Sequence, residues 1–422
     1  MKRPKAMKPE ANDATIKGQY PEFEGWTFTA REALRVRKDY TLKDFREVNP
    51  NTKYSWLHMN EFMPSATIRR LGDISKLQYS LKPEIGKIKV TNAIDALTLE
   101  EYIKLSELQG IIIVYKGKIV YERYPRMCAF DKHLYFSVTK TFASACIAIL
   151  EDDGKINVQD TIGKYLPELN KSDWAKVKVT DILNMASGMT AQYDDPGART
   201  DSNNLYFQFE SALGIQIKTS ATEYDVWSAL NKMHRIKAPG ISFEYGGHNT
   251  IILTLLVERI TGKPFAEFVS TRIWNKIGAE ADAYFGLSPQ GIAVSSAAMN
   301  STLRDLARYG LLFTPSWKKV SKEKIISDAY LKKIQKRGGN TEIYDKGGFG
   351  KRMIKELGEK PTHNSYQWDL VMDDGDFFKA GINGQGLYIS RAKDLVIACF
   401  SHGDYIPGVS VAYLSRAIAK SF

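Results

Sequence analysis

Cysteine is scarce in this chain. Cys128, Cys146 and Cys399 are the only three among 422 residues. An odd number without C-x-x-C spacing argues against a disulfide framework and against a cysteine zinc site. Cys146 and Cys399 lie in apolar runs and read as small core residues. The six histidines form no metal-ligand spacing, and no metal or cofactor is expected. Long hydrophobic runs are missing too. Without a stretch of 18 apolar residues, no membrane span is expected. The opening MKRPKAMKPEANDATIKG is basic, but no apolar segment follows, so it does not read as an intact signal peptide. The expectation is a cytoplasmic protein, exported only by way of a leader already removed. Walker A, H-E-x-x-H and G-x-S-x-G patterns are also absent. That argues against P-loop, zincin and α/β-hydrolase chemistry.

What remains is a globular composition, 43% hydrophobic and 25% charged. The net charge of +11 is scattered, with mild clusters at the N-terminus and around 318–337. No basic stripe with interleaved aromatics occurs, so nucleic acid is not an expected partner. Residues 1–95 carry many charges and breakers with little periodicity, and read as an extended arm packed on the body, with room for short helices. TLEEYIKLSEL (98–108) opens with a capping box at Thr98 and Glu101. Two β-rich runs flank Lys116-Gly117, a hairpin signal. An apolar helix is expected from Ser137 to about Asp152, closed by Gly154. Residues 156–300 read as mainly helical. The stretch 377–401 reads as two strands joined around Arg391–Asp394, followed by a terminal helix. Strands near both ends and helices between them predict an α+β protein. Its antiparallel sheet would combine 96–155 with 301–422, the helical region being inserted between them.

The chemistry starts at HLYFSVTKTFASACIAIL, residues 133–150. In a helix, positions i and i+3 share a face, with Cβ atoms about 5–6 Å apart, so Ser137 and Lys140 point the same way. A lysine in water, pKa about 10.4, is a poor base at neutral pH. Burial among Phe136, Phe142 and their neighbours would lower it and make it a usable base for the serine. The bland alternative is an N-cap serine and a lysine that snorkels to water. Roughly two chance S-x-x-K matches are expected in a chain this long. Ser316–Lys319, Ser321–Lys324 and Ser390–Lys393 are such matches in polar surroundings and read as solvated surface. Further on, KAPGISFEYGGHNT places Tyr245 on a loop edge just before an apolar helix. A phenol there, beside a lysine ammonium, is expected to lose its proton more readily and to act as a base. A packed loop tyrosine is the alternative. His248 could in principle serve as a base, though most lone histidines are structural. KAGINGQG (379–386) leaves a bare backbone around Ile382-Asn383. Its N–H could complete an oxyanion hole with that of Ser137.

Taken together these residues resemble the serine β-lactamase and penicillin-recognising family, on its class C and esterase side. The S-x-x-K at Ser137, VTDILNMASGM, PGISFEYGGHNT, TGKPFAEFVSTRIWNKIGAE and STLRDLARYG carry the resemblance. SWLHMNEFMPSATIRR, GKIVYERY, YDDPGA and GINGQ look like its nylon-oligomer (6-aminohexanoate-oligomer) hydrolase branch. The resemblance implies a β-lactamase/DD-peptidase-like fold with a cleft between sheet and helical region. It implies an acylated Ser137, proton transfer through Lys140 and Tyr245, and an oxyanion hole from the N–H groups of Ser137 and Ile382. Tyr193 and Asn383 would bind substrate. The small-molecule substrate would be an ester or linear amide, and homodimers are common in the branch. Departures are visible. The usual Asn of the Y-x-N box is replaced at Tyr245-Gly246-Gly247, and the K-T-G box is read as replaced by Gly381-Ile382-Asn383. The expected loss of that box's lysine weakens a β-lactamase or D-peptidase reading. A non-catalytic binding protein of the same fold is the other alternative.

Overall fold

The computed structural model describes residues 28–90, 97–220, 222, 225–336, 343–403 and 409–422. The basic opening segment, with the signal-peptide reading made on it, lies outside the described residues, as do residues 1–27 and 91–95 of the expected arm. The described strands are β1 (Ser65–Ile68), β2 (Gln78–Tyr79), β3 (Leu108–Tyr115), β4 (Lys118–Arg123), β5 (His133–Leu134) and β6 (Ala283–Gly286). They continue with β7 (Met299–Ser301), β8 (His363–Ser365), β9 (Trp368–Val371), β10 (Phe377–Gly381), β11 (Gln385–Ser390) and β12 (Leu395–Ser401).

The architecture is α+β. The large sheet runs β2-β4-β3-β12-β11-β10-β9-β8 and is antiparallel except where β2 joins β4. It is assembled from distant segments: β12 pairs with β3, bringing Ile397 opposite Ile113. The run LVIACF on β12 is apolar throughout because both faces are covered. Leu395, Ile397 and Cys399 share a cluster with the terminal helix Val411–Lys420. Val396, Ala398 and Phe400 share the other with the helix Leu303–Leu311. The expected β3–β4 hairpin turns at Lys116 and Gly117, both at positive φ. The capping box at Thr98 forms. Helix Lys140–Asp152 packs on helix Gly247–Thr261 in the helical region. Among the described residues, no helix is long and apolar enough to cross a membrane.

Four expectations need correction. The stretch 377–390 is not one strand but the hairpin β10–β11. Asn383 and Gly384 adopt φ of 64° and 90° and reverse the chain there, as an Asn-Gly pair does readily. The arm does carry short helices, among them the capped Ala30–Asp39, but it also supplies β1 to a small sheet and β2 to the large one, strands that were not expected there. That small sheet, β1-β6-β7-β5, was not anticipated, and β6 lies inside the span read as helical. The helix beginning at Ser137 starts instead at Lys140, after a 3₁₀ turn over Phe136–Thr139.

Candidate active site

Phe136 has φ 46°, a left-handed conformation costing about 1–2 kcal/mol for a residue with a side chain. It opens the tight turn that aims Ser137 into a cleft between the β10–β11 hairpin and the helical region. Lys140 follows one turn later, at the first position of the apolar helix. Ser137 is half-buried and Lys140 only 3% exposed. Lys140 Nζ lies 3.0 Å from Ser137 Oγ, and it donates to the carbonyl of Ser296 on the far wall. The amine therefore does not reach bulk water. Burial holds Lys140 well below the ordinary lysine range, and the charge of Lys379 lowers it further, against Asp369 and Glu210. A lysine whose charge is disfavoured by burial, beside a serine hydroxyl, is suited to act as its base.

The other S-x-x-K pairs line no part of this cleft. Ser316 Oγ donates to Asp394, and Ser321 Oγ to the Glu323 carbonyl. Ser321 and Ser390 are buried rather than solvated.

Tyr245 sits on the loop before helix Gly247–Thr261, 4% exposed, with Phe349 stacked on its ring at 4.0 Å. Lys140 Nζ lies 5.2 Å from the ring centroid. The hydroxyl accepts a hydrogen bond from Lys379 Nζ at 3.0 Å and interacts with Ser137. The expected easy loss of its proton does not occur. Burial, reinforced by the carboxylate of Asp369, pushes the phenol well above its ordinary value. Tyr245 is thus a proton donor at rest. His248, by contrast, is buried between Trp174 and Phe209 (ring centroids 5.4 and 6.1 Å) and does not line the cleft. Burial drops its pKa to about 3, so it is a neutral core residue and not the base.

The expected absence of a lysine near Gly381 is also overturned. Lys379, two residues earlier on β10, is fully buried and forms an ion pair with Asp369 of β9. A charge inside the apolar run FFKAG was the available signal. Ile382 follows at the tip of β10 and lines the cleft beside Ser137. The two backbones approach closely: a Cβ on Gly381 would lie 2.5 Å from the Tyr135 carbonyl oxygen. Among the described residues, no carbonyl accepts from the N–H of Ser137 or of Ile382.

Tyr193 also reaches the site. Its N–H donates to the Tyr245 carbonyl at 2.9 Å, and the two rings meet edge-on at 5.6 Å. Arg199 and Arg352 lie 4.2 and 5.4 Å from its ring centroid. Asn383 lines the cleft, but its amide group donates to the Arg46 carbonyl at 2.9 Å, tying the hairpin to the arm. Phe45 and Arg46 complete that wall, Arg46 being paired with Glu210 at 2.7 Å. Nothing in the arm's sequence marked them.

A beta-lactamase family model matches residues 106–420. The chain belongs to the beta-lactamase family. Among its relatives is the 6-aminohexanoate-dimer hydrolase of Paenarthrobacter ureafaciens, 22% identical over 92% of this chain and 93% of that one. A solved structure described as a 6-aminohexanoate-dimer hydrolase from Bacillus anthracis superposes with a TM-score of 0.74, at 23% identity over 91% of this chain and 95% of that one. EstCE1, a hydrolase with promiscuous acyltransferase activity, shares the fold at a TM-score of 0.57 and 13% identity, over 76% of this chain and 95% of that one. These likenesses agree with the family and branch expected from the motifs.

Proposed function

We propose that this protein is a serine hydrolase that cleaves carboxylic esters and linear amides through an acyl-enzyme on Ser137. The observation that carries the reading is the 3.0 Å approach of a buried Lys140 amine to the Ser137 hydroxyl, inside a cleft. Lys140 takes the serine proton as Oγ attacks the carbonyl carbon. The N–H groups of Ser137 and Ile382 receive the oxyanion. Tyr245, protonated and backed by the Lys379 ammonium, gives its proton to the departing alcohol or amine. Water then attacks the acyl carbon and gives a proton to the Lys140/Tyr245 pair; the bond to Ser137 Oγ breaks, the oxygen takes a proton back from that pair, and the acid leaves. No step calls on a metal or cofactor. Phe136, Tyr206, Phe209, Phe349 and Ile382 give the cleft apolar walls suited to an aliphatic chain. Similarity to 6-aminohexanoate-dimer hydrolases supports linear amides beside short-chain esters.

The test is hydrolysis of p-nitrophenyl butyrate and of a linear 6-aminohexanoate dimer by wild type and Ser137→Ala. Wild type should turn over at least one of them and the variant neither. Turnover surviving in Ser137→Ala would refute the assignment. Tyr193, beside Tyr245 in the cleft, would serve the leaving group. Tyr193→Phe is expected to slow the amide more than the ester, because an amine needs a proton to depart; equal losses would remove that role.

A further inference from the structure

Asp369 is 1% exposed, on β9, and does not line the cleft. A carboxylate so placed must be paired, and its two oxygens serve two different parts of the site. Oδ1 pairs with Lys379 Nζ, which donates to the Tyr245 hydroxyl at 3.0 Å. Oδ2 accepts the N–H of Ala380 at 3.0 Å, two residues before Ile382 on the same hairpin. We propose that Asp369 is a positioning residue: one oxygen fixes the lysine behind Tyr245, and the other fixes the strand that presents the Ile382 N–H. The inference rests on the hydrolase reading above.

The arrangement sets a direction for the protons. An ammonium only donates, so Tyr245 Oη must accept from Lys379, and its own hydrogen turns toward Ser137 and the cleft. Burial lowers Lys379 below the ordinary lysine range, and its ion pair with Asp369 opposes that loss and favours the ammonium. Its charge in turn opposes a charge on Lys140. The charged and titratable groups facing Lys140 are Lys379 and Asp369 from the sheet, Glu210 from helix Leu205–Ala212, and Arg46 from the arm. Tyr245 and His248, on either side of the helix start, complete the set. Without the Asp369 carboxylate, buried Lys379 should give up its proton. Lys140 then loses a like-charged neighbour and holds its own proton to higher pH.

The test is the pH profile of kcat/KM for p-nitrophenyl butyrate in Asp369→Asn. The amide oxygen can still accept from Ala380, so the strand keeps its support. The expected result at pH 7 is a loss of at least about tenfold, carried by kcat with KM nearly unchanged, and an acid limb displaced to higher pH. If this variant does not fold, the charge-neutral double variant Asp369→Asn/Lys379→Met should show the same displacement. A profile superimposable on wild type overturns the proposal. So does a loss that is uniform with pH and accompanied by a lower melting temperature, which would mark Asp369 as scaffold only. Titration of the lysine side chains by NMR separates this failure from that of the hydrolase reading. Should wild type show no turnover, an upward shift of the Lys140 titration in the variant still supports the coupling, and an unshifted one overturns it.

Discussion

At Ser137 the chemistry turns on where one proton goes. Lys140 can take it because burial disfavours its charge, and the positive Lys379 nearby disfavours it further. Lys140→Ala should therefore reduce acylation by at least about 100-fold, the scale of a lost general base. In wild type, acylation should already be near its plateau at neutral pH, because the folded-state pKa of the base lies well below the ordinary lysine range. A half-maximal rate near pH 10 in stopped-flow acylation would contradict a neutral Lys140. Ser137, Lys140 and Tyr245 were legible in the sequence because a helical repeat and a glycine-flanked loop constrain what they can touch. Lys379 and Asp369 were not. Each sits on a different strand, and only the β9–β10 pairing makes the two neighbours. The protonation of Tyr245 was misjudged for a related reason: the nearby lysine was foreseen, but not a burial large enough to outweigh it.

At the scale of elements, the β10–β11 hairpin sets the oxyanion geometry. Gly381 faces the Tyr135 carbonyl, and an added methyl would sit 2.5 Å from that oxygen. Gly381→Ala must push β10 away from the turn that carries Ser137. It is expected to cut kcat/KM by about tenfold or more while costing about 1–3 kcal/mol of stability, as overpacking does. A fully active, equally stable variant in parallel kinetic and denaturant measurements would show that the two backbones are not held in contact. The capped helix at Thr98 was legible here, since a capping box precedes it, and so was the terminal helix. The Asn383-Gly384 reversal carried a readable signal, an Asn-Gly pair between two β-rich runs, but the stretch was read as one continuous strand. The short strands of the small sheet were hidden: three or four residues carry too little period to read.

Across the whole molecule, the arm reaches into the cleft and closes the wall between hairpin and helical region through Arg46. No local sequence pattern could announce a contact between positions 46 and 210. Folding also buries three histidines in neutral form: burial lowers His133 and His248 to about 3 and His402 to about 4. Unfolded, they take up protons near pH 6.5. Between there and their folded values the unfolded state binds more protons, so stability rises with pH and falls on acidification. The expected slope is up to about 4 kcal/mol per pH unit between pH 6 and 4. Denaturant midpoints at pH 7, 6 and 5 check it, and a midpoint independent of pH would exclude neutral burial. The most direct test of the account as a whole is intact-mass spectrometry with peptide mapping after brief exposure to a fluorophosphonate. The prediction is a single adduct on Ser137 in wild type and a sharply slower one in Lys140→Ala. An unmodified protein, or an adduct on any other residue, would contradict it.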